Sequence, residues 1–290
     1  MCIQNDELFS TAYAFRPKPG VPRKPYGPPT TPVTVYKGKI VQQTHVVVNA
    51  AAGIEMAVRV SAGDSSVQLI SQLGPLDISN GYGQEAVMEI RAAIGSDAQF
   101  QTDANGLFMM QRMRRTNTSG FFPGYAVMEP ESQNYFPATA MASLKTAAAV
   151  GLDVDGPGVA VSFISAHGVT SLADGTLEVM MHRRMKDLGC RVDQGFEMDD
   201  QHIIVKTLRV QAKASAQKGQ MAVANRLDAL LQQHPVEIFF AAAEMNTVSP
   251  AHKTSIAASK AVALPDPLPR NVHLQTFRTS LTSDLRCRCV

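Results

Sequence analysis

The run from Gly158 to Val192, GVAVSFISAHGVTSLADGTLEVMMHRRMKDLGCRV, constrains the fold more than any other part of the chain. It holds two strand signals and a turn dipeptide without interruption. Val159, Val161 and Phe163 alternate with small or polar residues, the period of a strand with one buried face. Asp174-Gly175 is a tight-turn pair, after which Leu177, Val179 and Met181 alternate with Thr176, Glu178, Met180 and His182. The expectation is a half-buried antiparallel pair ending in His182, Arg183 and Arg184. Successive side chains leave a strand on opposite faces, so at most one of the two arginines can face a cleft. A cross-strand ion pair with a residue such as Glu178 or Asp187 is the plainer role.

The same alternation recurs along the chain. Strand-like runs cover 8–15, 54–60, 67–73, 86–94, 202–210, 236–243 and 272–277, and a hairpin is expected around Lys37-Gly38-Lys39. Asn105-Gly106 joins 98–102 to 107–113 as a second hairpin. One helix is predicted over 214–233, where Val223, Leu227, Leu230 and Leu231 fall at helical spacing before His234-Pro235. The run from Pro17 to Pro32 is too rich in proline to join a sheet ladder and reads as an extended connector over the surface. Many short strands separated by Gly, Pro and Asn turns argue for an all-β fold, a large antiparallel β-sandwich with one minor helix. The organisation expected is an opening strand over 1–16, a Pro-rich linker over 17–32 and the sandwich over 33–290.

Composition narrows the function classes. Apolar residues make up 45% and charged residues 18%, so the chain is globular rather than disordered. A net charge of +2 supplies no broad basic field, and nucleic acid is not an expected partner. Arg112, Arg114 and Arg115 follow the Asn-Gly turn on a strand and read as a solvated face or structural ion pairs. Cys2, Cys190, Cys287 and Cys289 have no paired spacing that indicates a disulfide framework or a zinc site. No apolar stretch reaches membrane-spanning length, and the first ten residues lack the basic head and apolar core of a secretory signal. Asn117-Thr118-Ser119 satisfies the N-glycosylation pattern, which matters if the chain enters the secretory route.

Five stretches, in order, resemble the C-terminal β-domain of the class II α-mannosidases, glycoside hydrolase family 38. They are Ala12-Tyr13-Ala14-Phe15-Arg16-Pro17, the block from Phe100 to Gly106 with Arg112, Arg114 and Arg115, and Asn134-Tyr135-Phe136-Pro137. The run from Val169 to Arg184 and that from Leu268 to Leu274 complete the set. The resemblance implies a galactose-mutarotase-like sandwich that is incomplete at its C-terminal end. It also implies a retaining glycosidase in which a zinc ion and two carboxyl groups act on α-mannosides. In the family that machinery belongs to an N-terminal α/β domain with a His-x-Asp zinc motif. None of the seven histidines here is followed two positions later by Asp, so neither the catalytic residues nor the zinc ligands are expected in this chain. The implied partners are that catalytic domain and mannose-containing glycans. The implied location is the lysosome, vacuole or secretory lumen, and since the chain shows no signal peptide its beginning is expected to lie upstream.

The resemblance further implies two sugar contacts, Tyr13 and Arg191, a phenol and a guanidinium fork suited to vicinal hydroxyls. The loop around Arg191, Lys186-Asp187-Leu188-Gly189-Cys190-Arg191-Val192, is one residue shorter than the family pattern and lacks its paired Asp. Ile164-Ser165-Ala166 stands where relatives often carry Thr-Asp-Arg. A stand-alone carbohydrate-binding or scaffold sandwich is therefore the alternative to the enzyme domain, and an unrelated sandwich is the third reading.

Overall fold

The structure, a computed structural model, describes residues 2–4, 15, 17–18, 20–26, 32–106, 108–115, 131–146, 158–185, 198–213, 229–230, 232–233, 279–281 and 287–289. The chain divides into two units, Met1–Val236 and Glu237–Val290. The first unit is built on two antiparallel sheets. One has five strands, in the order β1 (Cys2–Gln4), β6 (Gln84–Arg91), β13 (Thr176–Arg184), β12 (His167–Thr170) and β9 (Phe136–Ala138). The other has nine, in the order β2 (Thr34–Lys37), β3 (Val41–Asn49), β4 (Ile54–Ser61), β5 (Val67–Leu73), β14 (Ile204–Lys213), β11 (Gly158–Phe163), β10 (Met141–Lys145), β7 (Gln99–Ala104) and β8 (Phe108–Met113). In the second unit β15 (Thr279–Leu281) pairs with β16 (Cys287–Cys289).

Leu73, Phe100, Leu144, Val161, Phe163 and Leu208 of the larger sheet form one buried cluster with Ala86, Val169, Leu177, Val179 and Met181 of the smaller. These are the apolar positions of the alternating runs, so the pattern in sequence becomes the inner face of each sheet. The expected all-β sandwich is the observed architecture. The hairpin turns fall where expected: β2 and β3 flank Gly38, and Asn105 and Gly106 take left-handed backbone (φ 55° and 69°) between β7 and β8. Of the predicted helix, residues 229–230 and 232–233 are helical. Ala229 packs against Ala140 and Met141, and Gln232 Nε2 donates to Ser162 Oγ at 2.7 Å. Most of the expected strand over 8–15 and those over 236–243 and 272–277 lie outside the described residues. Among the described residues no helix is long and apolar enough to cross a membrane.

One expectation fails. The strand at Val159 to Phe163 does not pair with the strand after Asp174-Gly175: β11 lies between β10 and β14 in the larger sheet, and β13 lies between β6 and β12 in the smaller. The chain changes sheets at 164–166 and makes the short β12, and it is β12 that the Asp-Gly turn joins to β13, with Val169 opposite Val179. Alternation reports that a strand has a buried face, not which sheet it enters. At the turn itself Gly175 has φ 71°, and a Cβ there would stand 2.3 Å from the Ala92 carbonyl oxygen, so only glycine fits.

Candidate functional site

A β-bulge decides which side chains β13 presents. From Thr176 to Met180 the strand pairs residue for residue with β6, then the register slips so that His182 faces Ala86 and Arg183 faces Glu85. The extra residue inverts the alternation. Glu178, Met180 and Arg183 therefore share the face of the sheet turned away from the core, together with Glu85, Val87 and Glu89 of β6. Without the bulge Arg184 would take that place. Arg184 instead donates to Asp199 at 2.6 Å and to the Leu76 carbonyl at 2.7 Å.

Two carboxylates of this outer face are closed to water: Glu85 and Glu178 are each 2% exposed. Part of its cover comes from the Pro-rich run, whose Arg23 reaches across the sheet. Arg23 Nη1 donates to Glu178 Oε2 and its Nη2 to Glu131 Oε2 at 2.7 Å, while the Tyr135 hydroxyl donates to Glu178 Oε1. Arg183 Nε donates to Glu85 Oε2 at 2.5 Å. The Arg183 guanidinium also lies 5.1 Å from the Phe15 ring centroid, and Phe15 meets Tyr135 edge to face at 5.2 Å. Two buried carboxylates are thus matched by two guanidiniums and a phenol, which is the condition for holding such charge out of water.

Burial moves these groups in opposed directions. Desolvation pushes the Glu85 carboxyl up to about 7, against the pull of Arg183, and neighbouring Glu178 adds to the rise. Glu178 is raised above the ordinary carboxylate range by burial, opposed by Arg23 and Tyr135. Tyr135 is held far above the usual phenol value by burial and by the Glu178 charge. Burial works against the charge on Arg23, but Glu178, Tyr135 and Glu131 outweigh it and keep the guanidinium protonated more tightly than usual.

Beside this network opens a cleft of about 450 Å³, lined by Phe15, Tyr135, Pro137, His167, Met180 and Arg183. His167 Nδ1 donates to the Met180 carbonyl at 2.7 Å, its ring meets Phe163 edge to face at 5.0 Å, and burial lowers its proton affinity. The cleft offers aromatic surface, a guanidinium and a neutral imidazole, groups that bind a hydroxyl-rich ligand. The carboxylates beneath it already accept from arginine and tyrosine, which leaves them poor candidates for acid or nucleophile. They are also poor candidates for a zinc site, and among the described residues no three His, Cys, Asp or Glu side chains converge to hold a metal.

Tyr13, Arg191 and Asn117 lie outside the described residues. Phe15, two positions from Tyr13 in the same motif, lines the cleft. The ion pair expected for Arg183 forms, but with Glu85; Glu178 pairs with Arg23. Asp199 and Asp200 are engaged separately, with Arg184 and with His202. Arg112 donates to Thr102 Oγ1 at 3.0 Å and Arg114 to Asp174 at 3.0 Å, so both serve structure. Sequence reasoning missed Arg23, Glu85 and Tyr135 as one cluster; the available signal was Glu178 set between the apolar Leu177 and Val179, with the apolar Met180 two positions on along its own face.

Residues 3–202 match the family of sequences described as the glycosyl hydrolases family 38 C-terminal domain. A protein of Arabidopsis thaliana described as a probable alpha-mannosidase is 30% identical over 176 residues, which is 61% of this chain and 16% of that one. The lysosomal alpha-mannosidase of Dictyostelium discoideum is 29% identical over 217 residues, 72% of this chain and 20% of that one. The chain thus spans a fifth or less of the length of these two relatives. Among solved structures, a family 38 glycosyl hydrolase protein of Enterococcus faecalis shares the fold with a TM-score of 0.55 over 81% of this chain and 28% of that chain, at 12% identity.

Proposed function

The chain belongs to the C-terminal domain family of the family 38 glycosyl hydrolases, and we propose that it serves as the β-sandwich of an α-mannosidase acting in glycan turnover. In this reading the domain packs against a zinc-dependent catalytic domain and lends it carbohydrate contacts. Tyr13 and Arg191 are the proposed sugar-binding residues, and Asn117 the proposed glycan acceptor. The lysosome or vacuole is the proposed location, in keeping with relatives described as lysosomal. The catalytic carboxylates and the zinc ion belong to the catalytic domain, so the chain by itself is inert towards aryl α-mannosides.

The observation that carries this reading is the cleft. The Ala12-Tyr13-Ala14-Phe15 motif delivers Phe15 to its wall beside Arg183 and Tyr135, so a sugar held there would meet aromatic faces and a guanidinium together. The test is calorimetric titration of the purified chain with mannose, with and without zinc, beside Tyr13→Phe and Arg191→Ala variants. Weak, zinc-independent binding that falls at least severalfold in either variant supports the reading. Binding that ignores both variants removes them as contacts, and zinc-dependent hydrolysis by the chain alone overturns the division of labour. The shortened Arg191 loop favours a second reading, a sandwich that binds or scaffolds without an enzyme. An upstream reading frame encoding a His-x-Asp α/β domain decides against it.

A further inference from the structure

The sandwich has a gap beside its apolar core. Lined by residues of β4, β5 and β6 with Met181 of β13, a half-open pocket of about 310 Å³ leads in from the surface. Its position follows from side-chain size. At this layer the inward residues are Ser71 on β5 and Ala86 on β6, both small, whereas the layers beyond hold Leu73, Leu177 and Val179. Met56, Met88 and Met181 complete the wall, three unbranched side chains that adapt to what lies between them. Tyr26, from the end of the Pro-rich run, stands at its side.

We propose that this pocket is a binding site for a small amphiphile with a neutral or cationic head. An enclosed cavity of about 150 Å³ accepts a benzene-sized guest, so a half-open pocket of about twice that volume takes roughly a dozen non-hydrogen atoms. The lining sets the chemistry. Among the described residues the buried Ser71 hydroxyl has no hydrogen-bond partner, so it is available to a hydroxyl or amine of the guest. The charged residues at its open side are Glu55, Glu89 and Arg91, with Arg91 paired to Glu89 and Glu55 to His45 at 2.9 Å. Carboxylates outnumber guanidiniums there, and a carboxylate guest would surrender its hydration among methionines. This site is separate from the cleft and does not depend on the mannosidase reading.

The test uses the full chain labelled with ¹³C at its methionine methyls, since three of the 14 methionines line the pocket and the rest report on everything else. Titration is with 1-octanol, octylamine and octanoate. Saturable shifts confined to Met56, Met88 and Met181 are expected for the alcohol and the amine, with octanoate at least about tenfold weaker. Ser71→Ala should weaken 1-octanol about fivefold, the worth of one ordinary hydrogen bond. Ala86→Leu should fill the space, abolish the three shifts and raise the melting temperature. Shifts spread evenly over all methionines, or none at all, overturn the site in the unmodified chain, whatever the variants do. Equal affinity for octanoate overturns the assigned head-group chemistry.

Discussion

The two faces of β13 keep water from their buried residues by different means. Inward, Leu177, Val179 and Met181 exclude water through apolar contact and carry no charge. Outward, Glu178 and Arg183 are enclosed only because Arg23, Tyr135 and Glu85 answer their charges. The inner face tolerates any pH and fails when volume is lost. The outer face tolerates changes of volume at Met180 but fails when one partner is removed or a proton moves. A single bulge, between Met180 and His182, brings Arg183 onto the second kind of surface.

Removing one partner should have the largest effect. Glu178→Ala strands the Arg23 guanidinium and the Tyr135 hydroxyl, and we expect a loss of about 4 kcal/mol in urea unfolding at neutral pH. Leu177→Ala on the other face should cost about 3 kcal/mol, with the same value at pH 5 and pH 7.5, because only a cavity is made. If the two variants show the same pH dependence, the contrast between the faces is wrong.

Next comes the proton. Glu85 binds its proton more tightly when folded, at about 7 against 4.5 for the free side chain. Between those values the native state holds more protons than the unfolded chain, so stability is greatest at the acid end and is lost as pH rises through 7. The contribution is up to about 3 kcal/mol. Thermal melts at pH 5 and 7.5 should show the chain more stable at pH 5, and Glu85→Gln should flatten that slope. A melting temperature that rises with pH over this range would show that the outer network does not titrate as a buried one.

The smallest effect tests a contact at the far end of β13. Asp174 accepts from the backbone amides of Asp97 and Ala98 at 3.2 and 3.1 Å, and these two hold left-handed backbone (φ 48° and 60°). Asp174→Ala should cost about 1 kcal/mol, read as a modest fall in melting temperature, since the site is exposed. Ala98→Gly in that background should return part of the loss by relieving the backbone.

The site was legible in pieces. Arg183 reads as one half of an ion pair from its place in the strand, but Glu85 is 98 residues away and becomes its neighbour only through the β6–β13 ladder. Arg23 sits among prolines, where nothing local distinguishes it from a solvated linker residue; its partner Glu178 is 155 positions distant. Tyr135 belongs to a family motif, yet its hydroxyl has a purpose only once Glu178 is buried beside it. Tyr13 and Arg191 rest on motif likeness alone.

The sequence by itself determined the period-two strands, the hairpin turns at Asn105-Gly106 and Asp174-Gly175, and the family, because each is written in a few adjacent residues: turn chemistry, alternation and ordered motifs. Tertiary structure alone decided that β11 and β13 enter different sheets, that a bulge hands the outer face to Arg183, and that Glu85 and Glu178 find cations. Alternation demands a buried face but is silent on what covers it, and a buried charge is tolerable only where distant segments supply its counter-charge.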